Sequence, residues 1–178
     1  MVGQVIWITG LSGAGKTTLA NELVLCLQKT NPGLVLLDGD ILRNILKNDD
    51  ENIDDHSRGS RIRLALKYAQ MCKLLSSQGL TVVIATISMF EEIYVWNKKN
   101  LPNYFEIYLK VPIEELRHRD PKLIYKRYDD GDLSNVAGLD LAIDEPYSPD
   151  LILDFENQPT YWENPKTLVR QVILRLEK

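Results

Sequence analysis

The stretch VIWITGLSGAGKTTLANELVLCL, Val5 to Leu27, decides the fold. Its first five residues are apolar or β-branched, as expected of a strand covered on both faces. Glycines 10, 13 and 15 then break the run, and from Lys16 to Lys29 the pattern predicts a helix, ended by TNPG. A buried strand running through a glycine-rich loop into a helix is the first half of a βα unit. Residues Gly10 to Thr17, GLSGAGKT, satisfy GxxxxGK[ST] in that setting. The backbone amides of Gly10, Leu11, Ser12, Gly13, Ala14 and Gly15, with the helix start at Lys16, Thr17 and Thr18, predict a nest for phosphate oxygens. Lys16 is expected to reach the β- and γ-phosphates and Thr17 to hold Mg²⁺, so the loop implies a bound nucleoside triphosphate.

Reading outward, strand and helix alternate. Leu34 to Leu37 reads as a second strand, and LTVVIATI, YFEIYLKV and DLILDF as three more. Ser57 to Ser77 reads as a long helix with Ile62, Leu66 and Ala69 on its apolar stripe, stopped by SQG. Pro165 to Glu177 closes the chain as a helix with Asn164 as its cap. The expected fold is α/β: three layers, a mostly parallel five-stranded sheet with helices on both faces, in one domain over residues 1–178. Arg117 to Pro149 breaks the rhythm with many charges and two glycines, and predicts a mobile lid.

The composition fits such a domain, with 44% hydrophobic and 26% charged residues. A net charge of −4 argues against a general nucleic-acid or membrane-surface binder. No apolar stretch reaches the roughly 20 residues needed to cross a bilayer, and MVGQVIWITG lacks the basic region of a signal peptide. Cys26 and Cys72 lie in helical patterns and are expected as buried thiols. His56 and His118 are far apart and there is no CxxC, so zinc has no support. A cytoplasmic protein is expected.

A GTPase switch would need DxxG, which the chain lacks. NKKN, Asn97 to Asn100, misses the aspartate of a guanine-reading NKxD and follows a helix-like segment. LVLLDGDILR, Leu34 to Arg43, instead runs four apolar residues into Asp38, as a strand that delivers a carboxylate beside Mg²⁺ does. Gly39 is read as a turn that lets Asp40 approach the site, with Asp40 also a candidate cap for a helix from Ile41. One aspartate would serve the metal and the other an attacking hydroxyl; the sequence leaves both assignments open. Arg43, Arg58 and Arg61 read as a clamp for an anionic acceptor. Arg117, Arg119, Lys122, Lys126 and Arg127 supply lid cations for bound phosphates. These features indicate a kinase; a non-catalytic nucleotide-binding module is the rival.

GLSGAGKTT, LDGDILR, Ile87–Ser88, RDPKLIYKR, AGLD and DEPYSPDLILD together resemble the adenylyl-sulfate kinase family, in family order and over nearly the whole chain. The resemblance implies a homodimer that transfers the γ-phosphate of Mg-ATP to a ribose 3′-hydroxyl, with Arg119 at the ATP. It implies an acceptor site of Asp38, Asp40, Arg43, Arg58, Ile87, Ser88 and Lys126, with Met89, Phe90, Arg61 and Val136 at positions where the sequence departs from the family. Ser88 matches a serine labelled a phosphoserine intermediate in the family; in-line transfer needs none, so it is read as a contact. The family clamps a purine between two phenylalanines. Val136 holds one of those positions, and the segment between Arg43 and Arg58 has no aromatic for the other. Arg61 stands for an asparagine, and ISPYR is ISMFE. The departures resemble a divergent branch, the cytidine diphosphoramidate kinases of bacterial capsule synthesis; the alternative acceptor is adenylyl sulfate.

Overall fold

The computed structural model describes residues 2–46 and 56–177. In chain order the elements are β1 (Val5–Thr9), α1 (Lys16–Leu27), β2 (Leu34–Asp38), α2 (Gly39–Ile45), α3 (Arg58–Ser77), β3 (Thr81–Ala85), α4 (Glu91–Asn100), β4 (Tyr104–Lys110), α5 (Ile113–Arg119), α6 (Ile124–Asp129), β5 (Leu151–Asp154) and α7 (Pro165–Leu176). A 3-10 helix, Pro159–Glu163, precedes α7. The sheet order is β2-β3-β1-β4-β5, and all four pairings are parallel.

The alternation of side chains along β1 splits the core into two layers. Ile6 and Ile8 pack with Leu19, Leu23, Val169 and Val172 of α1 and α7 on one face. Val5 and Trp7 pack with Tyr68, Ala69 and Cys72 of α3 and Ile93 of α4 on the other. Both central strands, β1 and β3, are buried at every residue, which is why they read as unbroken apolar runs. Each such aliphatic side chain contributes about 1.5–3 kcal/mol on burial. Among the described residues no helix is long and apolar enough to cross a membrane.

Several expectations are revised. NKKN lies inside α4 rather than after it. Cys72 is buried but Cys26 is exposed, because it falls on the outer face of α1. Residues 117–149, expected as a mobile polar lid, include α6, and Tyr125, Val136, Ala137 and Leu141 are buried in the two core layers. Asp140 holds the turn there by accepting from the amides of Asn135 and Val136 at 2.7 and 2.6 Å. Asn164 does cap α7, accepting from Lys166 N at 3.0 Å.

Candidate active site

The C-terminal ends of the parallel strands open into a cavity of about 610 Å³, the place where open α/β sheets hold ligands. The glycine-rich loop forms its floor. Gly15, at φ 91°, is the N-cap of α1, and no side chain caps that helix. Its first amides are therefore left for an anion. A Cβ on Gly10 would stand 2.7 Å from the carbonyl oxygen of Leu109, so only glycine lets the loop start against β4. Ala14 is buried beneath, and its amide bonds Leu11 O at 3.2 Å.

Lys16 donates to Leu11 O at 2.7 Å, folded back over the loop it closes. Desolvation lowers its pKa to about 8, against the opposing pull of Asp40. Thr17 donates its hydroxyl to Asp38 Oδ2 at 2.8 Å, while Asp38 Oδ1 accepts from the amides of Asp40 at 2.9 Å and Ile41 at 3.4 Å. Asp38, not Asp40, is thus the cap of α2. Gly39 has no positive φ; its role is close approach, since a Cβ there would lie 3.0 Å from Thr86 Oγ1. The freed Asp40 carboxylate is exposed and meets only Lys122 among the described residues.

Arg43 and Arg61 reach the cavity from α2 and α3. Arg61 donates to the carbonyls of His56 and Asn135, both at 2.9 Å. Burial, and then the neighbouring charge of Arg43, lower its pKa to about 10. Among the described residues neither arginine forms a salt bridge. Asp140 acts on Arg61 through its charge but forms no ion pair with it, and two half-buried guanidiniums with no carboxylate bonded to them suit an anion between them. Leu64, Tyr68, Ile87 and Phe90 give this end its apolar wall. Tyr68 donates to Gly39 O at 2.9 Å, and burial raises its pKa to about 12. Ser88 is buried at φ 30° and shares a 2.8 Å hydrogen bond with Thr86.

The structure does not bring every candidate to the cavity. Arg58 turns away to hold Glu92 through both nitrogens, at 2.7 and 3.0 Å, and Asp144 at 2.8 Å, over the ring of Phe90. Met89 and Val136 are buried in the interior, and Lys126 is exposed, outside the cavity lining. Arg119 and Lys122 line it; Arg117 instead pairs with Asp129. Residues 47–55, where a second stacking aromatic would be sought, lie outside the described residues. The sequence reading passed over Tyr68, Thr86 and Trp162. Thr86 was signalled by its place directly after a buried strand; Trp162 carried no motif at all.

A glycine nest, an aspartate at the end of β2 with a second in the first turn of α2, and an arginine-lined acceptor end are the parts of a small-molecule kinase. The family model for adenylylsulphate kinase matches residues 2–154. The chain belongs to the adenylylsulphate kinase family. It is 38% identical to the cytidine diphosphoramidate kinase of Campylobacter jejuni over 170 residues, 96% of each chain. It is 35% identical to the adenylyl-sulfate kinase of Pseudomonas aeruginosa over 176 residues, 97% of this chain and 85% of that one. The Mycobacterium tuberculosis APS kinase CysC in complex with AMPPNP and APS matches at TM-score 0.85 and 28% identity, over 99% of both chains. The chain is accordingly a phosphotransferase acting on an alcohol group, and kinases of this family use ATP.

Proposed function

We propose that this adenylylsulphate kinase family member transfers the γ-phosphate of ATP to the ribose 3′-hydroxyl of cytidine 5′-diphosphoramidate. The carrying observation is the acceptor end of the cavity. Arg43 and Arg61 face it as paired cations, and Val136, at a position where the resemblance implies a stacking phenylalanine, lies in the core and offers no ring to a purine. Likeness over 96% of both chains to a cytidine diphosphoramidate kinase supports the same acceptor. A cytoplasmic homodimer completes the reading.

The residues present fit Mg²⁺. Thr17 and Asp38 put a hydroxyl and a carboxylate in contact at the edge of the phosphate nest, and such hard oxygens suit it. That ion keeps most of its waters and takes phosphate oxygens, so it needs no cage of three protein carboxylates, and none exists among the described residues. Bound there, it would neutralise charge on the β- and γ-phosphates.

The chain's own groups divide the remaining work. The nest amides seat the triphosphate, and Lys16 leaves Leu11 O for its terminal oxygens. Asp38 is committed to Thr17 and to α2, which leaves Asp40 to accept the proton of the attacking hydroxyl. Lys122 must release Asp40 first, and movement of the exposed stretch 121–123 of the lid, which leaves the buried residues of 117–149 in place, supplies that step and excludes water. Arg43 and Arg61 hold the acceptor's anionic tail. Ser88, hydrogen-bonded to Thr86, lines the acceptor end and takes no phosphate.

The test is a phosphotransfer assay with cytidine diphosphoramidate and adenylyl sulfate side by side. The former should give the higher kcat/KM by about tenfold or more, the worth of one lost stacking contact on the purine. A higher kcat/KM for adenylyl sulfate would reject the acceptor while leaving the kinase intact.

A further inference from the structure

Tyr68 belongs to no motif and its side chain is buried on α3, yet its hydroxyl reaches the start of α2. It donates to the carbonyl oxygen of Gly39 at 2.9 Å. The N–H of the same peptide group, that of Asp40, donates to Asp38 Oδ1 at 2.9 Å. We infer that Tyr68 is a positioning residue for phosphoryl transfer, fixing the Gly39–Asp40 peptide so that the Asp40 carboxylate faces the attacking hydroxyl. The inference rests on Asp40 being the proton acceptor and is independent of which nucleotide is phosphorylated.

Geometry carries the first part of the argument. A peptide group is planar, and its plane includes the Cα of the residue that follows it. Holding its oxygen at one edge and its N–H at the other fixes that plane, and with it the root of the Asp40 side chain. The chain also passes close against Thr86, whose Oγ1 would lie 3.0 Å from a Cβ on Gly39. The two hydrogen bonds come from different elements. Asp38 ends β2, whereas Tyr68 sits within the 20-residue α3, packed in the core layer that holds Trp7, Leu42 and Ala69. A long buried helix thereby anchors α2, which has only seven residues.

Need carries the second. The Asp40 carboxylate is exposed and meets only Lys122 among the described residues, a partner that must leave before a proton can be taken. Among those residues only the backbone then aims the carboxylate. A general base works within about 2.6–3.2 Å of the hydroxyl it deprotonates, and misplacement by roughly 1 Å can cost about a hundredfold. Tyr68 suits the task at neutral pH. Burial raises its pKa to about 12, so the phenol keeps its proton, and a carbonyl partner leaves it only the donor role.

The experiment is steady-state kinetics on the full-length enzyme as wild type, Tyr68→Phe, Asp40→Asn and the double variant. Mg-ATP is the donor, and the acceptor is whichever of cytidine diphosphoramidate and adenylyl sulfate turns over faster. Phenylalanine keeps the ring and its packing and removes only the donor. Tyr68→Phe should lower kcat about tenfold, the worth of one hydrogen bond, with both KM values little changed. Added to Asp40→Asn, the same substitution should lower kcat by less than about a further twofold, because the two residues act as a unit. Amide hydrogen exchange should quicken at Asp40 in Tyr68→Phe and stay unchanged at Ile84 in the buried β3. Wild-type kcat in Tyr68→Phe beside a large loss in Asp40→Asn would overturn the inference and leave the proton acceptor in place. A further tenfold loss on adding Tyr68→Phe to Asp40→Asn would overturn it too, as would a raised acceptor KM at unchanged kcat, the mark of a substrate contact. Unaltered exchange at Asp40 would do the same. Wild-type kcat in Asp40→Asn would remove the proton acceptor itself, and this inference with it.

Discussion

Thr17 Oγ1 and Asp38 Oδ2 are 2.8 Å apart, tying the first turn of α1 to the end of β2. The same carboxylate caps α2 through its other oxygen. One side chain therefore fixes the phosphate nest, the next helix and the position of Asp40. Asp40, two residues on, makes no comparable bond within the sheet and meets the exposed Lys122.

Asp38 and Asp40 should accordingly separate in stability although both matter to rate. Asp38→Ala loses a cap worth about 0.5–2 kcal/mol, which in a domain of this size lowers Tm by roughly 1–8 °C. Asp40→Asn gives up only a surface ion pair worth about 1 kcal/mol or less and should melt near the wild-type temperature. Asp40→Asn should lose about a hundredfold or more in kcat, as removal of a general base does, and Asp38→Ala should lose kcat as well, through the hydroxyl–carboxylate pair that would hold Mg²⁺. Melting curves and steady-state rates on the two variants check the split; a kcat for Asp40→Asn near wild type would move the proton acceptor elsewhere.

Lys16→Met should stabilise the nucleotide-free protein while abolishing transfer. Burial lowers the Lys16 pKa from 10.5 to about 8 in the folded state. Below pH 8 the lysine is charged whether folded or unfolded, and the folded state bears the full cost, at most about 3 kcal/mol. Between pH 8 and 10.5 the unfolded chain binds more protons, so this contribution makes stability rise with pH. Urea unfolding of wild type and variant at pH 7 and pH 10 should show the variant's advantage shrinking at the higher pH. A wild-type protein more stable than Lys16→Met at pH 7 would contradict the desolvated ammonium.

Much of the fold was legible because short-range pattern determines it. The apolar runs of β1 and β3 and the Gly10–Thr17 loop each lie within a few residues of their partners in the motif. The fate of Arg58 was not legible. Its carboxylate partners are 34 and 86 positions away, and nothing in the spacing of Arg58 and Arg61 says that one faces Glu92 and the other the cavity. Asp38 and Asp40 could be named as a pair but not assigned, because the assignment depends on which one the α2 amides claim. The polar character of residues 117–149 hid four core residues, Tyr125, Val136, Ala137 and Leu141, spaced without helical or strand period.

Arg61 and Arg58 should answer differently to substitution. Arg61→Asn removes a cavity cation and should raise the acceptor KM by about tenfold or more, with the ATP KM unchanged. Arg58→Ala breaks a partly exposed network with Glu92 and Asp144, worth on the order of 1 kcal/mol, and should lower Tm by a few degrees. Its acceptor KM should move less than that of Arg61→Asn. The reverse order of KM effects would return Arg58 to the acceptor clamp.

Gly39→Ala tests how tightly the aspartate pair is seated. The new methyl would lie 3.0 Å from Thr86 Oγ1, 3.1 Å from Thr86 Cβ and 3.2 Å from the carbonyl oxygen of Ala85. The last belongs to β3, which pairs with β2 at Asp38↔Ala85, so the backbone on both sides is fixed by the sheet. The Thr86 hydroxyl is itself held by Ser88 at 2.8 Å. Relief must come from movement of the Gly39–Asp40 segment, at about 1–3 kcal/mol of overpacking. Thermal melting should show that loss. Because Asp40 moves with the segment while the nest stays, kcat should fall with the ATP KM little changed. A stable Gly39→Ala enzyme with full kcat would mean that β2 and β3 can part at Asp38 without disturbing the carboxylate that takes the proton.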